Sequence, residues 1–95
     1  MPAIGVLTLE LRLEAAHSLK DKRHVVAGLK ERLRSRFNVA VAEIDCQDLW
    51  QRAVLAAVTV SADRVRAEQV LQSVEREAAA LVGGALVRTG VEWIA

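Results

Sequence analysis

The densest group of residues that could do chemistry is the run His17-Ser18-Leu19-Lys20-Asp21-Lys22-Arg23. Ser18 can accept a hydrogen bond from the backbone N–H three residues on, and Asp21 can reach back, which is the pattern of a helix capping box. A helix start also offers free backbone N–H groups at the positive end of its dipole, here beside three cations. The run therefore predicts contact with an anion or an RNA phosphate, or else only a capped helix with a solvated basic face.

Positive charge continues along the same predicted helix. Between Lys20 and Arg36, seven basic residues against two acidic ones give a local net charge of +5, and because the whole chain carries +1, the remainder carries −4. Such asymmetry hints at an RNA or ribosomal partner, although a solvated helix explains it too. The candidate nucleic-acid- or anion-binding residues are His17, Ser18, Lys20, Lys22, Arg23, Lys30 and Arg34.

Aromatic residues limit the way in which RNA could bind. The chain has no tyrosine, and its aromatic residues are Phe37, Trp50 and Trp93. RNA-recognition domains stack bases on aromatic side chains of their central strands. The polar face of the first predicted strand carries none, which excludes base stacking on the sheet and leaves contact with the RNA backbone.

Metal binding and catalysis find little support. His17, His24 and Cys46 lack the short spacing of a metal motif, so no metal or cofactor is predicted. Carboxylates cluster at residues 43–48, but no nucleophile motif, phosphate-binding glycine loop or dinucleotide fingerprint accompanies them. We expect them to shape a turn and to pair with Arg52 or the basic helix. The sequence predicts a protein that is not an enzyme and has no catalytic residues.

The elements that would position these residues follow from hydrophobic periodicity. Residues 7–14 alternate between leucine and polar side chains, as a strand with one buried face does. Two helices are predicted. One is capped by Ser18 and ends at Asn38; the other opens at Ser61-Ala62-Asp63, runs to about Leu81 and is stopped by Gly83-Gly84. Three more strands are predicted, over residues 39–44, 49–60 and 86–94.

This order predicts an α+β, ferredoxin-like βαββαβ fold, a four-stranded antiparallel sheet with two helices on one face. Ninety-five residues suffice for one buried core and are too few for two, so residues 1–95 are expected to form a single domain.

The third strand is apolar on both faces, which suggests a partner. The face of Ala53, Leu55 and Ala57 is too apolar to leave in water, so a homodimer is expected to cover it. Trp50 is either ordinary core or an anchor of that contact. The predicted interface consists of Trp50, Gln51, Ala53, Leu55 and Ala57.

Other features concern the compartment. The single cysteine, Cys46, cannot form an internal disulfide. The first five residues lack the basic start of a secretory signal, and charges interrupt every apolar run well before a membrane-spanning length of about 20 residues. A cytoplasmic protein without membrane contact is expected.

Three motifs occur in order along the chain: the run His17–Arg23, the run Arg36-Phe37-Asn38-Val39-Ala40-Val41-Ala42-Glu43, and the run Asp48-Leu49-Trp50-Gln51-Arg52-Ala53. Together they resemble the YlxP-like family of small bacterial proteins of unknown function. The resemblance implies a stand-alone ferredoxin-like domain.

Members of this family are encoded beside translation and ribosome-maturation factors, so the resemblance also favours a role with RNA or the ribosome. It supplies no catalytic residues. The motif positions that could contact a partner are His17, Lys20, Lys22, Arg23, Trp50 and Gln51. Relatives often carry histidine where this chain has Cys46, which argues against chemistry at that position.

Overall fold

The computed structural model describes residues 1–95 and contains four strands, two α-helices and one short 3-10 turn. The elements are β1 (Ala3–Arg12), α1 (Leu19–Arg36), β2 (Ala40–Asp45), β3 (Arg52–Ser61), α2 (Arg64–Val82) and β4 (Leu86–Trp93), with the 3-10 turn at Gly83–Ala85. The strands form one sheet in the order β2-β3-β1-β4, and every neighbouring pair is antiparallel. This confirms the predicted ferredoxin-like fold class.

Alternation along β1 determines where the core forms. Leu7, Leu9 and Leu11 point to the helices and are fully buried, whereas the residues between them point to the other side of the sheet. They join one core cluster with Val26, Leu29 and Leu33 of α1 and with Leu71, Val74 and Ala78 of α2. Both helices therefore cover the same face, and the opposite face carries no element of this chain.

Gly5 shows how closely β4 packs on this core. A Cβ at Gly5 would lie 2.7 Å from the ring of Trp93 and 2.8 Å from a methyl group of Leu71. Arg64 lies over that ring, with its guanidinium carbon 3.9 Å from the ring centroid. The absence of a side chain at Gly5 thus lets Trp93 pack against β1.

Helix ends follow the predicted caps at most positions. Ser18 caps α1, Asp63 caps α2, and α2 ends at Gly83, whose φ is 56°. The predicted end of α1 at Asn38 is corrected, because the C-cap is Phe37 in extended backbone. Asn38 instead joins α1 to β3, since its carbonyl oxygen accepts a hydrogen bond from Thr59 at 2.8 Å.

Candidate functional site

Lys22, predicted to contact a phosphate, points into the protein. It belongs to the buried stripe of α1 and is 1% exposed. Its ammonium group lies 2.8 Å from a carboxylate oxygen of Glu43 in β2 and also donates to the carbonyl oxygen of Cys46. The prediction for Lys22 is corrected: it holds β2 and the β2–β3 turn against α1 and is not free to meet a ligand.

The start of α1 is occupied by its own side chains. Ser18 Oγ accepts from the backbone N–H of Asp21 at 3.0 Å, and a carboxylate oxygen of Asp21 accepts from the backbone N–H of His17 at 3.0 Å. Ser18 and Asp21 thus both cap the helix start as the sequence predicts, but the reciprocal bond reaches the N–H of His17, one residue before the N-cap. Ser18 therefore has a structural role here, while the side chain of His17 remains exposed.

A second group of α1 cations faces solvent along one side of the helix. We call Lys20, Arg23, Lys30 and Arg34 the basic flank; at about 100° per residue they fall within an arc of roughly 80°. Lys20 and Arg23 are exposed, Lys30 is half-buried, and none of these three forms a salt bridge. Arg34 pairs with Glu31 at 3.2 Å, where both side chains are exposed and the pair contributes little.

The remaining α1 arginines point to the other helix. Arg32 and Arg36 lie 2.9 Å and 3.1 Å from the same carboxylate oxygen of Glu77 in α2. The hydrogen bond from Arg32 lowers the pKa of Glu77 below its ordinary value of 4.5. Burial opposes this shift, and the charges of Arg36 and Arg32 add to the lowering. These two cations tie the helices together, so they are not part of the basic flank.

The structure brings the separated motifs together at one end of the sheet. Gln51, in the β2–β3 turn, bonds to the loop between β1 and α1. Its carbonyl oxygen accepts from the Leu13 N–H at 2.8 Å, and its side-chain amide donates to the carbonyl oxygens of Glu14 and Ala16 at 3.4 Å and 3.3 Å. Cys46, in the left-handed region with φ 63°, accepts from Lys22 on the far side of the turn. The predicted role of Gln51 in a subunit contact gains no support, because its side chain is engaged within the chain.

Trp50 lies in the turn between these two anchors. It is 50% exposed and the neighbouring Leu49 is 49% exposed, so the interpretation of Trp50 as core is wrong. β3 begins at Arg52, three residues after the predicted start, which is why both apolar side chains belong to the turn and not to the sheet.

Three arginines lie together near this turn, a grouping that the sequence did not predict. The predicted pairing of Arg52 with the carboxylates of residues 43–48 is corrected, because Arg52 pairs with Glu10. We call Arg12, Arg52 and Arg88 the arginine corner. Arg12 and Arg52 are direct partners on β1 and β3, and Arg88 pairs with Glu10 across β1 and β4. Glu10 is the acid among them, at 3.5 Å from Arg52 and 3.7 Å from Arg88. The corner could have been found only from the strand register, since Arg12 and Arg88 are 76 positions apart in the sequence.

The three β3 residues of the predicted interface lie on the face that the helices cover. Ala53, Leu55 and Ala57 are fully buried beneath the helices of their own chain, so the prediction that a second copy covers them is corrected. The uncovered surface, which we call the open face, is formed by the alternate residues of the sheet. Its apolar members are Ile4, Val6, Ala40, Ala42, Val54, Ala56, Val58 and Val60.

The acidic residues near the turn have partners within the chain. Glu43 pairs with Lys22, and Asp45 accepts from the backbone N–H of Cys46 at 2.8 Å. No three His, Cys, Asp or Glu side chains gather closely enough to hold a metal ion. Neither helix is long and apolar enough to cross a membrane.

Comparison with known proteins places the chain among proteins of unknown function. A family model described as "Protein of unknown function (DUF503)" matches residues 4–89. The uncharacterised protein YlxP of Bacillus subtilis strain 168 is 41% identical over 71 residues, which cover 75% of this chain and 77% of that protein. These matches confirm the family resemblance that the three motifs carry.

Solved structures share the fold at low identity. A de novo designed protein, Foldit4, has a TM-score of 0.60 at 14% identity, covering 100% of this chain and 98% of its own. Rv0793 from Mycobacterium tuberculosis gives 0.56 at 17% identity, with 100% and 94% covered. A protein from Thermobifida fusca YX, described as a dimeric ferredoxin-like protein of unknown function, gives 0.51 at 15% identity, with 97% and 91% covered. At these identities the likeness shows the fold alone.

Proposed function

This chain belongs to the DUF503 family of proteins of unknown function. From the charges on its surface, we propose that it is a cytoplasmic, non-catalytic module that binds the phosphate backbone of RNA or a ribosomal particle. The surface that binds is the basic flank of α1. The partner is an RNA whose phosphates lie along the helix.

One observation carries this proposal: the division of the α1 cations. Lys22, Arg32 and Arg36 are neutralised by Glu43 and Glu77 within the chain. Lys20, Arg23 and Lys30 have no acidic partner and share one side of the helix with Arg34. Unpaired cations in a row repel one another, and a polyanion removes that repulsion while releasing its own counterions.

Co-sedimentation with ribosomal subunits and total RNA over a salt series tests the proposal. Log affinity is expected to fall linearly with log salt, with a slope of about −3 for four phosphate contacts on single strands. The variant Lys20→Glu/Arg23→Glu is expected to lose binding to every RNA sequence alike and to reduce that slope. Lys22 is unsuitable for this test because its removal would disturb the packing of β2.

The matched control is Arg66→Glu/Arg76→Glu on the exposed side of α2. Both double variants change the net charge from +1 to −3, since each reversal subtracts two charges from the +1 of the chain. If the two variants lose binding equally, net charge and not the basic flank is responsible. If wild type pellets with no RNA at any salt concentration, the proposal fails.

The open face favours a second candidate function, a homodimeric module that binds protein or a small anion and has no role with nucleic acid. Apolar residues of three adjacent strands are left uncovered there, and Val60 is 54% exposed. The Thermobifida fusca structure with the same fold is described as dimeric. The oligomeric state in solution is the property that distinguishes this candidate.

A further inference from the structure

The turn that carries Trp50 is fixed at both ends and exposes the aromatic ring to solvent. Its two ends are held by the contact of Lys22 with Cys46 and by the hydrogen bond from Leu13 to Gln51, and the N–H of Leu49 donates to the Cys46 carbonyl oxygen at 3.1 Å. A large apolar side chain held half-exposed by an anchored turn is unfavourable in water and suits an interaction surface.

The arginine corner adds positive charge near this ring, since Arg52 and Trp50 line the same shallow depression of the surface. Arg52 follows Trp50 by two residues, and Arg12 is its partner on β1, so two cations lie opposite each other on the same face. Like charges placed directly opposite across a strand pair destabilise the sheet. Glu10 offsets them weakly, since its distances to Arg52 and Arg88 are at or beyond the limit of a hydrogen bond, and Arg12 has no salt bridge.

An exposed aromatic ring near cations that the chain neutralises only weakly matches the chemistry that single-stranded nucleic acid needs. Bases of an unpaired strand stack on aromatic side chains, while arginine and lysine follow the phosphates. A duplex would meet the cations but offers no free base face to the ring, because its bases already stack on each other.

We propose that Trp50 stacks on an unpaired base and that Arg12 and Arg52 hold the phosphates beside it, so that the chain prefers single-stranded segments of RNA to duplex. This inference rests on the proposed function and names the form of RNA that is bound. It assigns base stacking to the β2–β3 turn, which differs from stacking on the face of a sheet.

Intrinsic tryptophan fluorescence provides the test. Wild type and Trp50→Phe are titrated with a 12-nucleotide oligouridylate and with an RNA duplex of equal phosphate number. Because Trp93 is the other tryptophan, the difference between the two proteins isolates the signal of Trp50. We expect the oligouridylate to quench Trp50 and the duplex to leave it unchanged.

The affinities of further variants for the oligouridylate then distinguish the contribution of the Trp50 ring from that of the arginine charges. Trp50→Ala is expected to weaken binding about 5- to 150-fold, the range that corresponds to the loss of one stacked base, whereas Trp50→Phe keeps most of the affinity. Leu49→Ala, which removes exposed apolar surface from the same turn without touching a ring, is expected to bind as wild type. Arg12→Gln/Arg52→Gln is expected to reduce the slope of log affinity against log salt concentration by about 1.4, because two phosphate contacts are lost. Thermal melts of all variants show whether each remains folded.

The results distinguish this inference from the function on which it rests. If Trp50→Ala binds oligouridylate as wild type does while Lys20→Glu/Arg23→Glu does not, the stacking inference is wrong and binding by the basic flank stands. Equal losses for oligouridylate and duplex in Trp50→Ala also overturn it. If the wild-type protein binds neither RNA, both proposals fail together.

Discussion

At the scale of the residue, Lys22 shows how a cation within a basic run acquires a structural role. Its aliphatic stem occupies a place in the apolar stripe of α1, and its ammonium group reaches Glu43 and the Cys46 carbonyl oxygen at the far end of β2. The Glu43 side chain is 18% exposed, so the pair lies at the margin of the core. Lys20, two residues earlier, points to solvent because two residues rotate a helix by about 200°.

Replacement of Lys22 by methionine should therefore destabilise the protein. The variant keeps most of the apolar stem but leaves Glu43 and a carbonyl oxygen without their donor, so we expect a loss of about 1–3 kcal/mol in the free energy of unfolding, measured with urea. Lys20→Met is the control and should stay within about 0.5 kcal/mol of wild type. Equal effects of the two substitutions would contradict the role given to Lys22.

At the scale of the element, the basic side chains of α1 point in three directions. Lys22 faces the sheet, Arg32 and Arg36 face α2, and the basic flank faces solvent. The helical period makes this division, because residues four apart stay on one side while those two apart do not. A net charge of +5 in the sequence thus overstates the positive charge that a partner would meet, since Glu43 and Glu77 neutralise part of it.

The contact of α1 with α2 should respond to acid. Folding lowers the pKa of Glu77, mainly through the hydrogen bond from Arg32. The folded protein therefore binds that proton less readily than the unfolded chain, and the stabilisation is complete above the ordinary value of 4.5 and lost as pH falls through the folded pKa. We expect Glu77→Gln to lower the melting temperature at pH 7 and to lose less stability than wild type between pH 5 and pH 3. Parallel pH profiles for the two proteins would show that Glu77 contributes nothing to acid sensitivity.

At the scale of the whole molecule, the two sides of the sheet differ. The helices cover one side and keep the basic flank on the outside, whereas the open face leaves valine, isoleucine and alanine side chains of three strands in water. A second copy on the open face would leave both basic flanks accessible. A dimer is therefore compatible in geometry with RNA binding by the basic flank. It would compete with phosphate contacts by Arg12 and Arg52, which lie on the open face.

A charge at the centre of the open face tests the dimer. Wild type is expected to sediment as a dimer at micromolar concentration and Val58→Glu as a folded monomer, because a buried carboxylate without a partner opposes association. Leu81→Glu, at an exposed apolar position of α2, is the control and should remain dimeric. Leu55→Glu would be uninformative, because Leu55 lies in the core and a charge there would unfold the chain itself. Wild-type protein that sediments as a monomer would exclude this assembly.

Local patterns in the sequence were sufficient for the element order, the fold class and the capping box of α1. Alternation in β1, the helical repeat of Leu29 and Leu33, and the glycines after α2 each act over a few residues, so they can be recognised without the rest of the chain. The family resemblance of the three motifs was also available from the sequence, and the comparisons confirm it.

The tertiary structure alone decided which surfaces are free. β3 is apolar on both faces, and only the packing of α1 and α2 determines that Leu55 is buried and Val58 is not. In the same way, the antiparallel register brings Arg12 beside Arg52, and the position of β2 turns Lys22 inward. These outcomes depend on contacts between residues far apart in the chain, which no local period encodes.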